Sequence, residues 1–146
     1  MASSVTVTVE PFEGGTGGGH KITVSSSYLT ATFTNYGATL ISLFAPDRLG
    51  KKEEITLCYD TLDEIKSGTT FYGATIGRVG NRISKGSFSL NGTEYSLNRN
   101  NGVNHLHGGP KGFDKVFWKF ERKNIKLKIP YLALLSCFLH SFHLAV

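Results

Sequence analysis

Residues 72–118 read YGATIGRVGNRISKGSFSLNGTEYSLNRNNGVNHLHGGPKGFDKVFW, and most motifs that bear on the fold and the function lie in this stretch. Its middle part, residues 87–97, alternates apolar and polar side chains on both sides of Asn91-Gly92. Asn-Gly between two alternating segments is a strong hairpin signal, because both turn residues tolerate a positive φ. The sequence therefore predicts a β-hairpin that turns at Asn91 and Gly92.

The residues before this stretch show the same alternation in several short runs, a pattern typical of half-buried strands. We predict strands over residues 5–9, 21–25, 28–35, 38–44 and 55–59. Asn35-Tyr36-Gly37 is expected to turn the chain between the third and the fourth of these strands.

One helix is predicted in this otherwise strand-rich chain. Residues 61–64 read TLDE and fit a capping box, so a short helix is expected near residues 62–66, ending at Gly68. Many short strands at close spacing indicate an all-β chain. We therefore expect an antiparallel β-sandwich with at most one short helix.

The end of the chain differs in composition from the rest. Residues 122–128 carry four of the positive charges behind the net charge of +5, and no acidic residue follows Glu121. Residues 1–121 then hold a net charge of +1, so we expect no nucleic-acid partner. Residues 129–146 are almost uncharged and apolar. We accordingly divide the chain into a β domain, 1–121, and a basic then apolar tail, 122–146, which is expected to be irregular or helical.

Three interpretations of this tail remain open. We favour a non-homologous end that arises from altered splicing or read-through. A C-terminal membrane anchor is the second interpretation, because 18 apolar residues lie at the lower limit of the roughly 17–25 that span a bilayer. A buried helix is the third.

The N-terminus has no basic and apolar leader, so we expect no secretory signal and a cytoplasmic protein. The chain has two cysteines and no C-x-x-C motif, which gives no reason to expect disulfides or a zinc site.

Two polar motifs flank the predicted hairpin. Asn81-Arg82 precedes it, and His107 follows it with two glycines directly behind. A histidine can give or take a proton near neutral pH. Two glycines permit a positive φ and let a ligand or another loop approach the backbone closely. His105 would share a face with His107 in an extended segment, but no third ligand lies near in sequence, so we expect no metal.

The three blocks GRVGNRI (residues 77–83), LHGG (106–109) and GFDKVFW (112–118) resemble, in order and spacing, the signature blocks of the aldose 1-epimerase (galactose mutarotase) family. The resemblance covers about residues 4–121 and ends there. It implies the first part of a large β-sandwich, incomplete in this chain. It also implies a monosaccharide substrate such as glucose or galactose and no cofactor.

The resemblance implies a role for three residues. His107 would lie near the ring oxygen of the sugar, where it polarises that atom or assists its protonation. Asn81 and Arg82 would hydrogen-bond sugar hydroxyls, and the guanidinium offers a rigid fork of donors for this. The block at residues 112–118 is expected to be architectural, with its aromatic side chains packing and Asp114 fixing the loop.

Family members take their principal acid, a second histidine, and their base, a glutamate, from later segments that residues 122–146 do not match. We therefore expect this chain to turn over slowly or not at all. The alternative to an aldose 1-epimerase is a truncated sugar-binding or inactive relative. A protein anchored to a membrane by its tail is the less favoured third hypothesis.

Overall fold

The computed structural model describes residues 5–13 and 18–120, together with the backbone of Phe142–Leu144. Five strands form one antiparallel sheet whose spatial order follows the sequence. They are β1 (Thr6–Pro11), β2 (His20–Ser25), β3 (Thr30–Thr34), β4 (Thr39–Pro46) and β5 (Lys52–Glu54). The first four confirm the strands that alternation predicts.

The sheet buries one face and leaves the other polar. The buried face carries the core cluster of Ile22, Val24, Ala31 and Phe33, against which Phe120 and other apolar side chains pack. On the opposite face the hydroxyls of neighbouring threonines in β2 and β3 lie 3.1 Å apart. The alternation in the sequence is thus the alternation between these two faces.

The predicted strand over residues 55–59 is wrong. The fifth strand lies earlier, at Lys52–Glu54, and residues 55–59 form no regular ladder. Ile55 still donates its N–H to the Leu43 carbonyl, at 2.9 Å. The Leu43 N–H, however, is bound by the side-chain hydroxyl of Thr56, at 3.0 Å. That hydroxyl takes the place of a backbone acceptor, and the ladder ends there.

The short helix is confirmed as α1 (Leu62–Ser67). Thr61 caps it with its hydroxyl, which accepts from the Glu64 N–H at 3.2 Å, while the Glu64 carboxylate accepts from the Thr61 N–H at 3.0 Å. This is the capping box that the sequence predicts, and Gly68 ends the helix. Leu62 is completely buried and packs beside Gly19, directly before β2.

The remaining strands are short pairs. β6 (Arg82–Ile83) pairs with β9 (His105–Leu106), β7 (Ser87–Leu90) with β8 (Thr93–Ser96), and β10 (Trp118–Phe120) with β11 (Phe142–Leu144), all antiparallel. Three single-turn 3₁₀ helices lie at Ser84–Gly86, Gly109–Lys111 and Phe113–Lys115. The β7–β8 hairpin turns at Asn91 and Gly92, whose φ values are 51° and 78°, as predicted.

The all-β prediction is confirmed, because α1 is the single α-helix within the described residues. The predicted tail, with its three interpretations, lies mostly outside the described residues. Residues 142–144 form a strand against β10, where we expected irregular or helical backbone. No helix in the described part of the chain has the length and apolar run needed to cross a bilayer.

The turn between β3 and β4 joins the sheet to the segments that carry the polar motifs. The Asn35 backbone carbonyl accepts from the Trp118 N–H at 2.8 Å, and the Gly37 N–H donates to the Val116 carbonyl at 2.8 Å. On its other side, the Thr75 hydroxyl donates to the Ala38 carbonyl at 2.9 Å. Residues 73–75 and 116–118 are therefore held against the same turn.

Candidate functional site

Asn81 and His107 face each other where the β6–β9 pair ends. The His107 N–H donates to the Asn81 carbonyl at 3.1 Å. In a regular antiparallel pair the Asn81 N–H would return a bond to the His107 carbonyl. Here it donates to the imidazole Nδ1 instead, at 2.9 Å. Asn81 and His107 have positive φ values of 61° and 52°. The strand pairing therefore stops, and the His107 side chain turns back onto the Asn81 backbone.

The bond to Nδ1 determines how the imidazole can act. Because Nδ1 accepts a hydrogen bond, the proton of the neutral ring lies on Nε2. The ring is half-buried, and its edge contacts the Phe71 ring, with centroids 4.7 Å apart. His107 thus has a defined tautomer and a defined ring orientation.

Arg82 is exposed and lies next to this pair. Its Nε donates to the Asn101 side-chain oxygen at 2.9 Å, and Nη1 lies 3.5 Å from the Asn81 side-chain oxygen. Asn81 therefore contacts both of the other predicted site residues, and the structure brings the three together.

The two glycines behind His107 behave as the sequence predicts. Gly108 and Gly109 have φ values of 89° and 81°. A Cβ at Gly108 would lie 1.7 Å from the Gly77 carbonyl oxygen, and one at Gly109 would lie 2.7 Å from the His105 ring. The loop after His107 can pack against the first signature block and the His105 ring only because these positions carry no side chain.

Asn100 stabilises β9 on the side that faces away from β6, a role that the sequence analysis missed. Leu106 pairs with Arg82 at a position where its own N–H and carbonyl point away from β6. The Asn100 carboxamide satisfies both groups, accepting from the Leu106 N–H at 2.7 Å and donating to its carbonyl at 2.9 Å. Leu106 is buried, so these groups would otherwise lack partners.

His105 is a structural residue in this arrangement. It is buried, and its Nδ1 is hydrogen-bonded to the Asn98 carbonyl at 2.7 Å. The positive φ of His107 breaks the extended geometry that would have set both rings on one face. Among residues 5–13 and 18–120, no three His, Cys, Asp or Glu side chains gather as metal ligands.

The aromatic side chains of the block at residues 112–118 pack as expected. That Asp114 fixes the loop stays a prediction, because its carboxylate pairs with the adjacent Lys115 and its buried Oδ1 has no hydrogen-bond partner within the described residues. The Phe113 and Trp118 rings meet edge to face at 5.4 Å, and the Trp118 indole N–H donates to the Phe113 carbonyl at 3.0 Å. Phe117 packs against Tyr36 in the same way, at 5.1 Å. The Phe113 N–H donates to the Gly77 carbonyl at 3.1 Å, which fixes this block to the first one.

A cavity of about 350 Å³ lies between α1, the segment that follows it and β9. This volume lies within the range of small-ligand pockets. None of the three predicted site residues lines it directly. Three of its lining residues are their neighbours: Phe71 contacts the His107 ring, Asn101 binds Arg82, and Leu106 precedes His107. The site therefore lies at the margin of the cavity.

Charged side chains lie on one wall of the cavity. Lys115 forms an ion pair with Asp114, and its ammonium lies 5.1 Å from the centre of the Phe71 ring. Lys66 of α1 lies 5.6 Å from the Phe117 ring. Burial, and secondarily the Asp114 carboxylate, raise the pKa of the Tyr36 phenol, whose ring centre lies 5.9 Å from the Lys66 ammonium.

Comparison with known proteins decides the family. The family model described as aldose 1-epimerase matches residues 20–146. The chain belongs to the aldose 1-epimerase family. A galactose mutarotase of Bos taurus is 43% identical over 104 residues, which are 71% of this chain and 30% of the relative. The chain thus spans about a third of the length of the relatives it matches.

Solved structures of the family support the same fold. A galactose 1-epimerase from Lactobacillus acidophilus superposes with a TM-score of 0.70 at 26% identity, covering 84% of this chain and 36% of the other. An aldose epimerase homologue from C. elegans gives 0.61 at 32% identity, covering 82% and 33%. The family match runs past Glu121 to Val146, and the division of the chain at that residue stays a prediction.

Replacement of Gly108 by alanine tests the close packing of the family's signature loops. Gly108→Ala should destabilise the fold by about 3 kcal/mol or more, because the new Cβ meets a backbone oxygen and the φ is unfavourable. Gly102→Ala is the matched control, because Gly102 also has a positive φ, 57°, but nothing lies within 4 Å of an added Cβ. It should cost about 1–2 kcal/mol. Equal losses in urea unfolding would contradict the packing described here.

Proposed function

We propose that this chain provides the sugar-binding part of an aldose 1-epimerase, an isomerase of hexose metabolism that interconverts the α and β anomers of glucose and galactose. In this reaction a base removes the proton of the C1 hydroxyl and an acid protonates the ring oxygen. The ring opens to the aldehyde, the C1–C2 bond rotates, and reclosure gives the other anomer. Both proton transfers and fixed hydroxyl positions are needed.

In this proposal His107 acts at the ring oxygen. Its Nε2–H is the donor that polarises this oxygen or assists its protonation. Arg82 binds sugar hydroxyls through its terminal nitrogens, and Asn81 binds one through its side-chain amide. All three interactions use donors, which suits a ligand that presents hydroxyl and ether oxygens.

The observation that carries the proposal is the bond from the Asn81 N–H to His107 Nδ1. Here a backbone N–H, held in a left-handed conformation, determines the tautomer and leaves Nε2–H as the donor. Within the described residues Nε2 has no hydrogen-bond partner of its own, so a ligand oxygen can take that place.

We place this activity in the cytoplasm as part of the same proposal. The thiol of Cys58 is free, which agrees with a reducing compartment. A monosaccharide is the proposed ligand, and the proposal includes neither a nucleic-acid partner nor a membrane.

Binding of D-galactose to the 146-residue chain tests the site directly. We expect weak binding in an NMR titration, with shifts in the backbone signals of Asn81 and His107. Arg82→Ala should lower the affinity about tenfold or more, because hydrogen bonds from a charged donor are lost. Arg48→Ala, which removes an exposed arginine from the turn between β4 and β5, is the matched control and should leave the affinity unchanged. Equal effects of both substitutions would refute the assignment of Arg82.

Turnover is expected to be low in the same polypeptide. A positioned acid or base contributes roughly 10²–10⁴-fold, and the family's principal acid and base are expected from segments beyond those matched here. Polarimetry of α-D-galactose should therefore give a rate at least about 10²-fold below that of the bovine relative. A comparable rate would contradict this expectation. Sugar binding without measurable turnover would favour the alternative of a sugar-binding, inactive relative.

A further inference from the structure

Asn101 is the acceptor that orients the Arg82 guanidinium. Arginine has five N–H donors, of which one, on Nε, lies at the base of the planar fork. The bond from Nε to the Asn101 side-chain oxygen is 2.9 Å long, whereas the contact of Nη1 with Asn81 is 3.5 Å. The shorter bond therefore determines the plane of the fork and leaves the terminal nitrogens for a ligand.

Asn101 is itself held firmly. Its N–H donates to the Asn104 carbonyl at 3.1 Å, and the Asn104 N–H donates back to the Asn101 carbonyl at 3.0 Å, which closes a tight turn around Gly102. The preceding residue, Asn100, is bound through its side chain to Leu106 on both polar groups. The backbone on both sides of Asn101 is thus fixed before its side chain meets the arginine.

Asn101 also lines the 350 Å³ cavity, which Arg82 itself does not line. It is therefore the link between the predicted sugar-binding arginine and the space where a ligand fits. An exposed arginine that lacked this acceptor would sample many rotamers, and a ligand would have to order it on binding.

We propose that Asn101 is a positioning residue of the sugar site, which acts by holding the Arg82 guanidinium in the orientation that binds sugar hydroxyls. This inference rests on the proposed function. It predicts that Asn101 contributes to affinity only through Arg82.

A double-mutant cycle on the 146-residue chain tests the inference. Asn101→Ala should weaken D-galactose binding roughly three- to tenfold, because the orientation of a charged donor is lost. Asn101→Asp retains the acceptor oxygen and should stay within about twofold of the parent. In the Arg82→Ala background, Asn101→Ala should cause no further loss, because the group on which it acts is gone. An additive effect of the two substitutions would overturn the inference, since it would show that Asn101 acts independently.

The control is Asn98→Ala, which replaces an asparagine three residues before Asn101 in the same loop. Asn98 uses its backbone carbonyl to bind His105, whereas its side chain makes no hydrogen bond within the described residues. The substitution should leave galactose affinity unchanged. If it lowered the affinity as much as Asn101→Ala, the effect would belong to the loop as a whole and the inference would be wrong.

A second measurement separates this inference from the proposed function. The Arg82 Nε–H signal in ¹H–¹⁵N spectra, assigned with Arg82→Lys, should exchange slowly with solvent in the parent chain and faster in Asn101→Ala. No change in this exchange rate would overturn the inference even if galactose binds. Failure of the parent chain to bind galactose, with the exchange difference intact, would overturn the proposed sugar site and with it the role of Asn101 there.

Discussion

The hydrogen bond from the Asn81 N–H to His107 Nδ1 is the interaction on which the candidate site depends. It joins residues 26 positions apart in the sequence. Because the return bond of the strand pair is directed to a ring nitrogen, β6 and β9 cannot continue past this point, and the imidazole is fixed at the end of the pair. The glycines behind His107 then bring Gly77 and the 112–118 block close. Strand termination, ring orientation and loop packing therefore follow from one local arrangement.

Two asparagine side chains supply hydrogen-bond partners to the residues of the β6–β9 pair. Asn100 supplies the donor and the acceptor that a neighbouring strand would give to Leu106, and Asn101 supplies the acceptor for Arg82. A carboxamide can do both because it carries a donor and an acceptor, like a peptide group. The site is thus supported by the side chains of Asn100 and Asn101, which lie on a loop whose backbone is itself hydrogen-bonded.

Much of the fold could be predicted from local chemistry. The hairpin at Asn91-Gly92 and the helix capped by Thr61 depend on residues close in sequence, and both are confirmed. The strand expected at residues 55–59 is wrong because the Thr56 hydroxyl, rather than a backbone carbonyl, accepts from the Leu43 N–H. Apolar alternation alone does not reveal such a replacement.

In the candidate site, too, the residues in local motifs could be predicted, whereas those that depend on distant contacts could not. His107 and its two glycines, Asn81 and Arg82 could be chosen from the signature blocks that they share with a known family. Asn100 and Asn101 lie in the polar run NRNN, whose composition indicates only a loop. Their bonds to Leu106 and Arg82 depend on the register of β6 with β9, which the sequence does not specify. The placement of the cavity beside these residues depends on that register and on α1.

The tautomer of His107 tests the central claim most directly. Long-range ¹H–¹⁵N NMR spectra distinguish a ring nitrogen that carries a proton from one that accepts a hydrogen bond, and comparison with His107→Gln assigns the signal among the chain's 5 histidines. The structure predicts, for the neutral ring, an unprotonated Nδ1 and a protonated Nε2. A neutral His107 with its proton on Nδ1 would contradict the account, because the Asn81 N–H could then not be its partner.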